Sequence, residues 1–351
     1  MSTFLELPGI LHDFTLVNRS RAIAAGLDAF AYDRVTAGLG SLIDWSAAFR
    51  AVGRAHVEAA GAADARGHRV SAGESYRSAA RWFHCASWLP HPDRALAARA
   101  AAEADAAMAD ALARLDPGAV RIEGETFTGW LRRPAGTGGP APATVLVIPG
   151  MDSGKEEFHG VVEALLARGL AALALDGPGQ GVRAATGAPR PDYQAVVGEA
   201  LDALTGLGGL DPARTALIGL SLGGYYAAVA AAHEPRVRAA ATVSGPYRLV
   251  WDELPPFVTD TLTQRAGGRA AAREFADRVD LTAAAGLIGC PLRVVDGGMD
   301  TIPGVVNGEP LARSAPRGEY LLVPHGDHLL GNARPDWLPG TADWLADRLR
   351  G

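Results

Sequence analysis

Hydrophobic and polar residues follow two different patterns along this chain of 351 residues, and the change comes near residue 117. Before it, apolar side chains recur three and four positions apart, as in SAAFRAVGRAHVEAAGAADARG and GESYRSAARWFHCASWL. This spacing is typical of helices that bury one face. A long alanine-rich helix is expected to begin near Pro92–Asp93 and to stop at the DPG of residues 116–118. We therefore predict a helical domain over residues 1–116.

After residue 117, short continuous apolar runs alternate with helical stretches. The runs include TVLVIPG, RTALIGLS and GEYLLVPHG. Continuous apolar runs suit strands that are buried on both faces, and their alternation with helices indicates a mostly parallel sheet covered on both sides. We predict one α/β domain over residues 117–351, with functional residues gathered where the parallel strands end.

One connection within this second domain is unusually long. Residues 247–288 separate two predicted strands by more than a crossover helix requires, and they contain a Pro-Pro pair and several aromatic residues. This composition favours a helical lid inserted into the α/β domain. An ordinary long helical connection is the alternative.

Composition and charge exclude several classes of protein. The chain is 48% hydrophobic and 21% charged, with a formal net charge of −6, which is typical of a globular protein without a basic surface for nucleic acid. Cys85 and Cys290 are too few for a disulfide framework or a cysteine metal site. No secretory leader and no apolar stretch near about 20 residues is visible. We expect a cytoplasmic protein with no membrane partner, cofactor or metal.

Candidate chemistry centres on LIGLSLGGYYA, where a buried strand is predicted to turn into a helix. Gly219 and Gly223 flank Ser221, and a Gly-x-Ser-x-Gly segment between strand and helix is the sequence of a nucleophile elbow. In a glycine-rich chain the five-residue pattern alone could arise by coincidence. Its position between a strand and a helix makes Ser221 the candidate nucleophile.

An oxyanion hole is expected beside this serine. Its backbone amides would come from Leu222, directly after the serine, and from Met151 or Asp152 in the loop after TVLVIPG. A helix is expected to begin within DSGKEEF, capped by Asp152 or Ser153, with Lys155 in a structural role.

A base and an acid should follow the serine along the chain, in the order serine, acid, histidine. Asp300 lies in the loop DGGMDTIPG after a predicted strand, and Asp296, at the strand end, is its competitor. Of the two histidines further on, His328 is preferred over His325 because its loop can fold back over the serine. A metal held by this His-x-x-His segment would need further ligands that the sequence does not offer.

Several of these segments together resemble a known group of enzymes. They are PGMDSGKEE, LDGPGQG, GLSLGGYYA, SGPY and HGDH, together with YRSAARWFHCASWL in the helical half. They resemble the α/β-hydrolase group that includes 2,6-dihydroxypseudooxynicotine hydrolase, the fungal pigment polyketide-shortening hydrolases and the FrsA-like esterases. The resemblance covers most of the chain. It implies an α/β-hydrolase fold, a triad of Ser221, Asp300 and His328, and a cleft between the helical segment and the core.

The resemblance also implies a type of reaction and a further acid. Several members of the group cleave a carbon–carbon bond beside a ketone. In the nicotine-pathway enzyme an acidic residue after the SGPY-like segment assists, and here that segment continues with RLVWDE. The candidates for this substrate-side role are Trp251, Asp252 and Glu253.

The helical half is expected to form one wall of the substrate pocket. Its aromatic residues would either line that wall or fill the core of the helical half itself. The residues in question are Tyr76, Trp82, Phe83 and Trp88.

Three functions remain open from the sequence. The first is a serine hydrolase that acts on an ester, a thioester or a ketone-adjacent carbon–carbon bond of a small metabolite. The second is a lyase that eliminates acetate, as α/β-hydrolase-fold proteins of tetronate pathways do. A catalytically silent scaffold is disfavoured because all three triad positions are filled. A small molecule is the expected partner, and the sequence leaves a homodimer open.

Overall fold

The first part of the chain is helical. A computed structural model describes residues 4–136 and 141–350. Its first six α-helices are α1 (Ile10–Val17), α2 (Arg19–Ala24), α3 (Ala29–Ala37), α4 (Trp45–Asp64), α5 (Arg69–Ala86) and α6 (Arg94–Leu115). Helix α6 begins where its sequence predicts, because the Asp93 carboxylate accepts a hydrogen bond of 3.0 Å from the amide of Ala95.

From residue 120 onward, strands alternate with helices. The strands are β1 (Val120–Glu123), β2 (Thr128–Arg132), β3 (Thr144–Ile148), β4 (Ala171–Asp176), β5 (Thr215–Leu220), β6 (Val237–Val243), β7 (Arg248–Leu249), β8 (Leu292–Gly297), β9 (Val305–Val306) and β10 (Gly318–Val323). The helices are α7 (His159–Leu166), α8 (Gln194–Thr205), α9 (Leu222–His233), α10 (Pro256–Arg265), α11 (Arg269–Asp277), α12 (Glu309–Ser314) and α13 (Arg334–Arg348). In the described part of the chain, no helix combines the length and apolarity that a membrane crossing requires.

Eight of these strands form one sheet in the order β1-β2-β4-β3-β5-β6-β8-β10. The six strands β4-β3-β5-β6-β8-β10 are parallel to one another. The β1–β2 hairpin lies at one edge, where β2 pairs antiparallel with β4. Helices α8, α9 and α12 cover one face, while α7 and α13 cover the other. The mostly parallel, doubly covered sheet is therefore the one that the alternating pattern predicts.

The continuous apolar runs become strands buried on both faces. Every residue of β3, β4 and β5 is buried. In β3, Leu146 and Ile148 face one core cluster, whereas Val145 and Val147 face the other. Because side chains alternate between the faces of a strand, only an uninterrupted apolar run can fill both cores.

The helical segment has an aromatic core of its own. The rings of Trp45 and Phe49 stack with centroids 4.0 Å apart, and Trp88 packs beside them. The aromatic residues considered from the sequence for the pocket wall also pack within the helical segment, against two clusters, and do not reach the cavity beside Ser221: Tyr76, Trp82, Phe83 and Trp88. These four rings therefore stabilise the packing of the helices of this segment against one another.

One helix start differs from its sequence expectation. The segment DSGKEEF forms turns, and α7 begins only at His159. Asp152 and Ser153 do not cap it, since their side chains accept hydrogen bonds from Arg21. The charged residues of this segment are buried in contacts with distant residues, and those contacts override the local helix signal.

The long connection of residues 247–288 contains two helices. Helices α10 and α11 lie between β7 and β8, and α10 packs against the start of the chain. The amide of Phe4 donates a hydrogen bond of 2.9 Å to Asp260, and the ring of Phe4 lies 5.2 Å from that of Phe257. The insertion and the helical segment thus meet above the sheet.

Leu146 tests the doubly buried centre of the sheet. Its side chain is fully buried in β3, so we expect Leu146→Ala to lower the free energy of unfolding by about 2–5 kcal/mol through lost contacts and a residual cavity. Urea unfolding followed by circular dichroism measures this change. Leu322→Ala is the matched control, because Leu322 is 47% exposed on strand β10 and should cost less than about 0.5 kcal/mol. Equal costs for the two variants would contradict the assigned burial.

Candidate active site

Ser221 occupies a sharp turn between β5 and α9. Its φ of 56° and ψ of −131° are unfavourable for a residue with a side chain, and such strain concentrates at functional sites. The turn is fixed by backbone bonds: the amide of Ser221 donates to the carbonyl of Val243 at 2.8 Å, and its carbonyl accepts from Gly224 at 2.7 Å. The serine hydroxyl is thereby displayed where three parallel strands end.

The glycines around the serine permit a very close approach of backbones. A Cβ on Gly219 would collide with the carbonyl of Gly223, and one on Gly223 would collide with the carbonyl of Ile148. A Cβ on Gly150 would lie 2.9 Å from the Cβ of Ser221. The turn therefore cannot accommodate side chains at these three positions.

The structure brings Ser221, His328 and Asp300 into one hydrogen-bonded chain. Nε2 of His328 lies 3.0 Å from Oγ of Ser221, and Nδ1 lies 2.9 Å from Oδ2 of Asp300. With the proton on Nδ1, the imidazole donates to the carboxylate and accepts from the serine hydroxyl. In that tautomer, Nε2 can take the hydroxyl proton directly.

Charge coupling sets the ionisation of the acid and the base. Burial alone would raise the pKa of Asp300, but the His328 imidazole and the Ser244 hydroxyl outweigh it, so the pKa lies below its ordinary value. Burial alone would lower the pKa of His328, but Asp300 outweighs it and raises the pKa. The aspartate is therefore ionised at neutral pH, and it favours a positive charge on the imidazole.

The loop that carries His328 is held in an unusual backbone shape. Leu329 and Leu330 both have left-handed φ angles, of 67° and 49°. The hydroxyl of Ser244 accepts a hydrogen bond of 3.0 Å from the amide of Leu329. Ser244 itself has a φ of 49° at the end of β6, so strained residues flank the imidazole on two sides.

The competing candidates have other partners. Asp296 accepts a hydrogen bond of 2.8 Å from the amide of Gly308, and its burial, aided by the charge of Asp300, raises its pKa to about 6. His325 is exposed and lies 3.1 Å from Asp336. In residues 4–136 and 141–350, no three His, Cys, Asp or Glu side chains converge as metal ligands.

A cavity of about 340 Å³ opens beside the serine. Its lining is mostly apolar and comes from three parts of the chain. The helical segment contributes Phe4, Ile10, Phe14 and Val17; the insertion contributes Leu249, Pro255, Phe257, Val258 and Leu262; the core contributes Pro246, Ile302 and Val305. A compact apolar compound fits such a space better than a highly charged one.

The candidate oxyanion residues lie at the floor of this cavity. Leu222, Met151 and Asp152 line it together with Ser221. Leu222 is the first residue of α9, so its amide has no acceptor within the helix and stands at the positive end of the helix dipole. These amides could stabilise a negative oxygen formed on a carbonyl attacked by the serine.

The substrate-side candidates of the RLVWDE segment do not line the cavity. The exposed Asp252 forms an ion pair of 2.6 Å with Arg273. Trp251 is buried beneath the guanidinium of Arg269, and Glu253 is exposed. The short helical turn of residues 251–253 thus places none of these three side chains in the cavity beside the serine, and their substrate-side role stays a prediction.

The sequence did not reveal several polar residues of the site. Arg21, Asn18 and Asp13 of the helical segment line the cavity, as does Asp327, the residue before His328. Arg21 is buried and binds Asp152 with a shortest distance of 2.6 Å. No local motif marks a lone arginine that pairs across 131 positions. Only the buried acidic residues of PGMDSGKEE, which require a cation, could have indicated a partner.

Comparisons of the sequence with known proteins point to one family. Residues 41–276 match the family model described as esterase FrsA-like. Over 301 residues the chain is 31% identical to 2,6-dihydropseudooxynicotine hydrolase of Paenarthrobacter nicotinovorans, an alignment that covers 81% of this chain and 79% of that protein. It is 33% identical over 215 residues to hydrolyase poxO of Penicillium oxalicum, which covers 56% of this chain and only 50% of the fungal protein.

Comparisons with solved structures agree. The crystal structure of 2,6-dihydroxy-pseudo-oxynicotine hydrolase matches with a TM-score of 0.84 at 26% identity, over 94% of this chain and 95% of that one. The structure of AbyA5 matches with a TM-score of 0.69 at 21% identity, over 97% of this chain and 99% of that one. At 21% identity, the match to AbyA5 supports the fold alone. Together these matches confirm the group to which the sequence motifs point.

The coupling of His328 to Asp300 can be measured directly. We expect the His328 imidazole to titrate above the ordinary value of about 6.5 in an NMR titration, and Asp300→Asn to lower that pKa because the compensating charge is gone. Asp343→Asn serves as the control, since Asp343 is exposed and pairs with Arg168. A His328 pKa that is unchanged in Asp300→Asn would contradict the coupling.

Proposed function

The chain belongs to the FrsA-like esterase family of α/β-hydrolase-fold enzymes, and we propose that it is a serine hydrolase that uses Ser221, His328 and Asp300 as its triad. Its substrate would be a small, largely apolar metabolite with an ester, a thioester or a ketone-adjacent carbon–carbon bond. The enzyme class follows from the family. The triad and the substrate class are the proposal.

The hydrogen-bonded chain from serine to aspartate carries this proposal. Distances of 3.0 Å from Ser221 to His328 and 2.9 Å from His328 to Asp300 are those of a nucleophile, its base and an orienting acid. The strained turn at Ser221 supports it further, because a structural serine gives no reason to hold that conformation.

The reaction would proceed through an acyl-enzyme. Oγ of Ser221 attacks the carbonyl carbon while Nε2 of His328 takes the hydroxyl proton, and Asp300 stabilises the imidazolium. The amide of Leu222, with that of Met151 or Asp152, binds the oxyanion. His328 then protonates the leaving oxygen, sulfur or carbon. A water molecule deprotonated by His328 attacks the acyl group, which releases the acid and restores the serine.

The relatives support both bond types. The family model is described as an esterase, and the relative that the chain matches over 301 residues is named as a hydrolase of 2,6-dihydropseudooxynicotine. The two reactions share the acyl-enzyme and differ in the atom that His328 protonates. The apolar cavity of about 340 Å³ suits a compact substrate in either case.

Elimination of acetate fits the site less well. A lyase needs only a base that removes a proton beside a carbonyl. Such a reaction would leave the strain at Ser221 and the position of the amides around it without a purpose. In labelled water, hydrolysis adds solvent oxygen to the released acid, whereas elimination of acetate adds none.

Ser221→Ala tests the nucleophile. We expect hydrolysis of p-nitrophenyl acetate to fall by at least about a thousandfold, because the acyl-enzyme cannot form, and labelling by a fluorophosphonate probe to disappear. Ser78→Ala is the control, since the Ser78 hydroxyl donates to the Glu74 carbonyl at the surface of α5. Turnover that persists in Ser221→Ala would exclude the proposed triad.

The two histidines near the end of the chain form a matched pair. His328→Ala should lose nearly all hydrolysis of p-nitrophenyl acetate, because no other imidazole reaches Ser221 among the described residues. His325→Ala should keep nearly all activity, since the exposed His325 ring pairs with Asp336 and not with Ser221. Steady-state kinetics of both variants at one pH measure the difference. Equal losses in the two variants would argue against His328 as the base.

A further inference from the structure

Helix α2 of the helical segment lies between two loops of the α/β core. Its consecutive residues Ser20 and Arg21 bind one loop each. The hydroxyl of Ser20 donates a short hydrogen bond to Asp327, the residue directly before His328. The guanidinium of Arg21 binds Asp152, the residue after Met151. One short helix is thus attached to the loop of the base and to the loop of the candidate oxyanion amide.

The contacts of Arg21 are numerous and buried. Nη1 lies 2.6 Å from Asp152, while Nε and Nη2 bind the two oxygens of Glu157 at 2.7 and 2.9 Å. Nη2 also lies 3.1 Å from the hydroxyl of Ser153, and the guanidinium lies 4.1 Å from the ring centre of Trp88. Such a planar fork, which binds two carboxylates at once, fixes both position and orientation.

Arg21 and the carboxylates around it stabilise one another in their charged forms. Burial alone would lower the pKa of Arg21, but Asp152 and Glu157 outweigh it and raise the pKa. Burial alone would raise the pKa of Glu157, but Arg21 and His84 lower it. Without the arginine, Asp152 would stay buried without a cation and Glu157 would keep only His84 and Ser153, which favours a shift of the loop.

The same loop is held from its other side as well. Nζ of Lys155 lies 2.9 Å from Asp105, which belongs to α6 of the helical segment, and 2.8 Å from Asp176 at the end of β4. Asp152 and Lys155 are therefore tied to two different helices of the helical segment. The loop that supplies the oxyanion amide depends on residues outside the α/β core.

Helix α2 is itself firmly placed. A Cβ on Gly331, in the loop after His328, would lie 2.9 Å from the backbone of Ser20, so the two segments touch directly. At the other end of α2, Nη1 of Arg334 donates to the carbonyl of Ala24 at 2.5 Å. The helix is anchored to the histidine loop and to α13 and cannot shift independently of them.

We propose that α2 sets the position of the two active-site loops relative to Ser221, with Arg21 and Ser20 as positioning residues. This inference rests on the proposed function, because it concerns the oxyanion amides and the base assigned there. In this arrangement the helical segment completes the catalytic site and does not only cover it. An ion pair that merely joins the two parts of the chain would affect stability and leave the chemical step unchanged.

The charges of Arg21 and Asp152 act on His328 and give a readout that a purely structural role would not produce. The groups that bias the imidazole are Asp300 and Asp152, which raise its pKa, and Arg21, which lowers it. Loss of Arg21 should therefore move the pH midpoint of kcat/KM upward, because a neutral imidazole is required. Loss of the Asp152 charge should move the midpoint downward.

The experiment compares Arg21→Met with Arg19→Met in the full chain. Arg19 lies two positions away on α2, and its ion pair with Asp33 is exposed. With p-nitrophenyl acetate, we expect kcat of Arg21→Met to fall by tenfold to about a hundredfold with little change in KM, as for a catalytic group displaced by about 1 Å. Fluorophosphonate labelling should slow in parallel. Arg19→Met should keep the wild-type kcat.

Two further variants complete the test. Asp152→Asn keeps its backbone amide and should move the pH midpoint opposite to Arg21→Met. Arg21→Lys keeps the charge but loses the planar fork, so it should fold and still show a reduced kcat. If Arg21→Met does not yield folded protein, Arg21→Lys decides the question in its place.

The outcomes separate this inference from the proposed function. Wild-type kcat in Arg21→Lys, or in a folded Arg21→Met with an unmoved pH midpoint, would overturn the role of α2 while the Ser221→Ala result stood. If Ser221→Ala itself retained turnover, the proposed function would fall first and this inference with it. A loss of thermal stability in Arg21→Met without any loss of kcat would also overturn it.

Discussion

The site depends on a contact between backbones that leaves no room for side chains. Strands β3 and β5 run next to each other, and the end of β3 approaches the turn after β5 so closely that Gly150 and Gly223 must be glycines, while Gly219 must be one because of the backbone of Gly223 within the turn itself. This packing allows Ser221 to keep a conformation that would relax in an open loop. The hydroxyl is therefore positioned by the packing of the whole sheet, and not by the turn alone. Every other element of the site is arranged around this fixed point.

The sequence predicted the parts of this molecule that obey local rules. Uninterrupted apolar runs identified the strands, and the order serine, acid, histidine pointed to Ser221, Asp300 and His328, which the structure brings together. The choice of His328 over His325 depended on how far each histidine lies beyond the last strand, which can be read from the sequence. These features can be predicted because each follows from a short segment and its place at the end of a strand.

The sequence failed where distant partners decide the structure. The segment DSGKEEF has the acidic residues of a helix start, but Asp152 and Glu157 form ion pairs with Arg21. Lys155 of the same segment forms an ion pair with Asp105. Asp252 lies in the segment where the sequence suggested a substrate-side acid, but it forms an exposed ion pair with Arg273. No periodicity reveals either outcome, because ion pairs between residues 21 to 136 positions apart follow from tertiary packing. Buried charges in a loop are the best available indication that such a partner exists.

The apolar lining of the cavity has a consequence for how this enzyme can diversify. Its roof is assembled where Phe14 of α1 meets Phe257 of α10, with ring centres 5.5 Å apart, while the serine and its partners sit on the core below. Substitutions in the roof can change the size and shape of the space without touching the hydrogen bonds of the floor. Evolution, or a directed-evolution library confined to those two helices, can therefore explore new substrates while the chemistry is inherited unchanged.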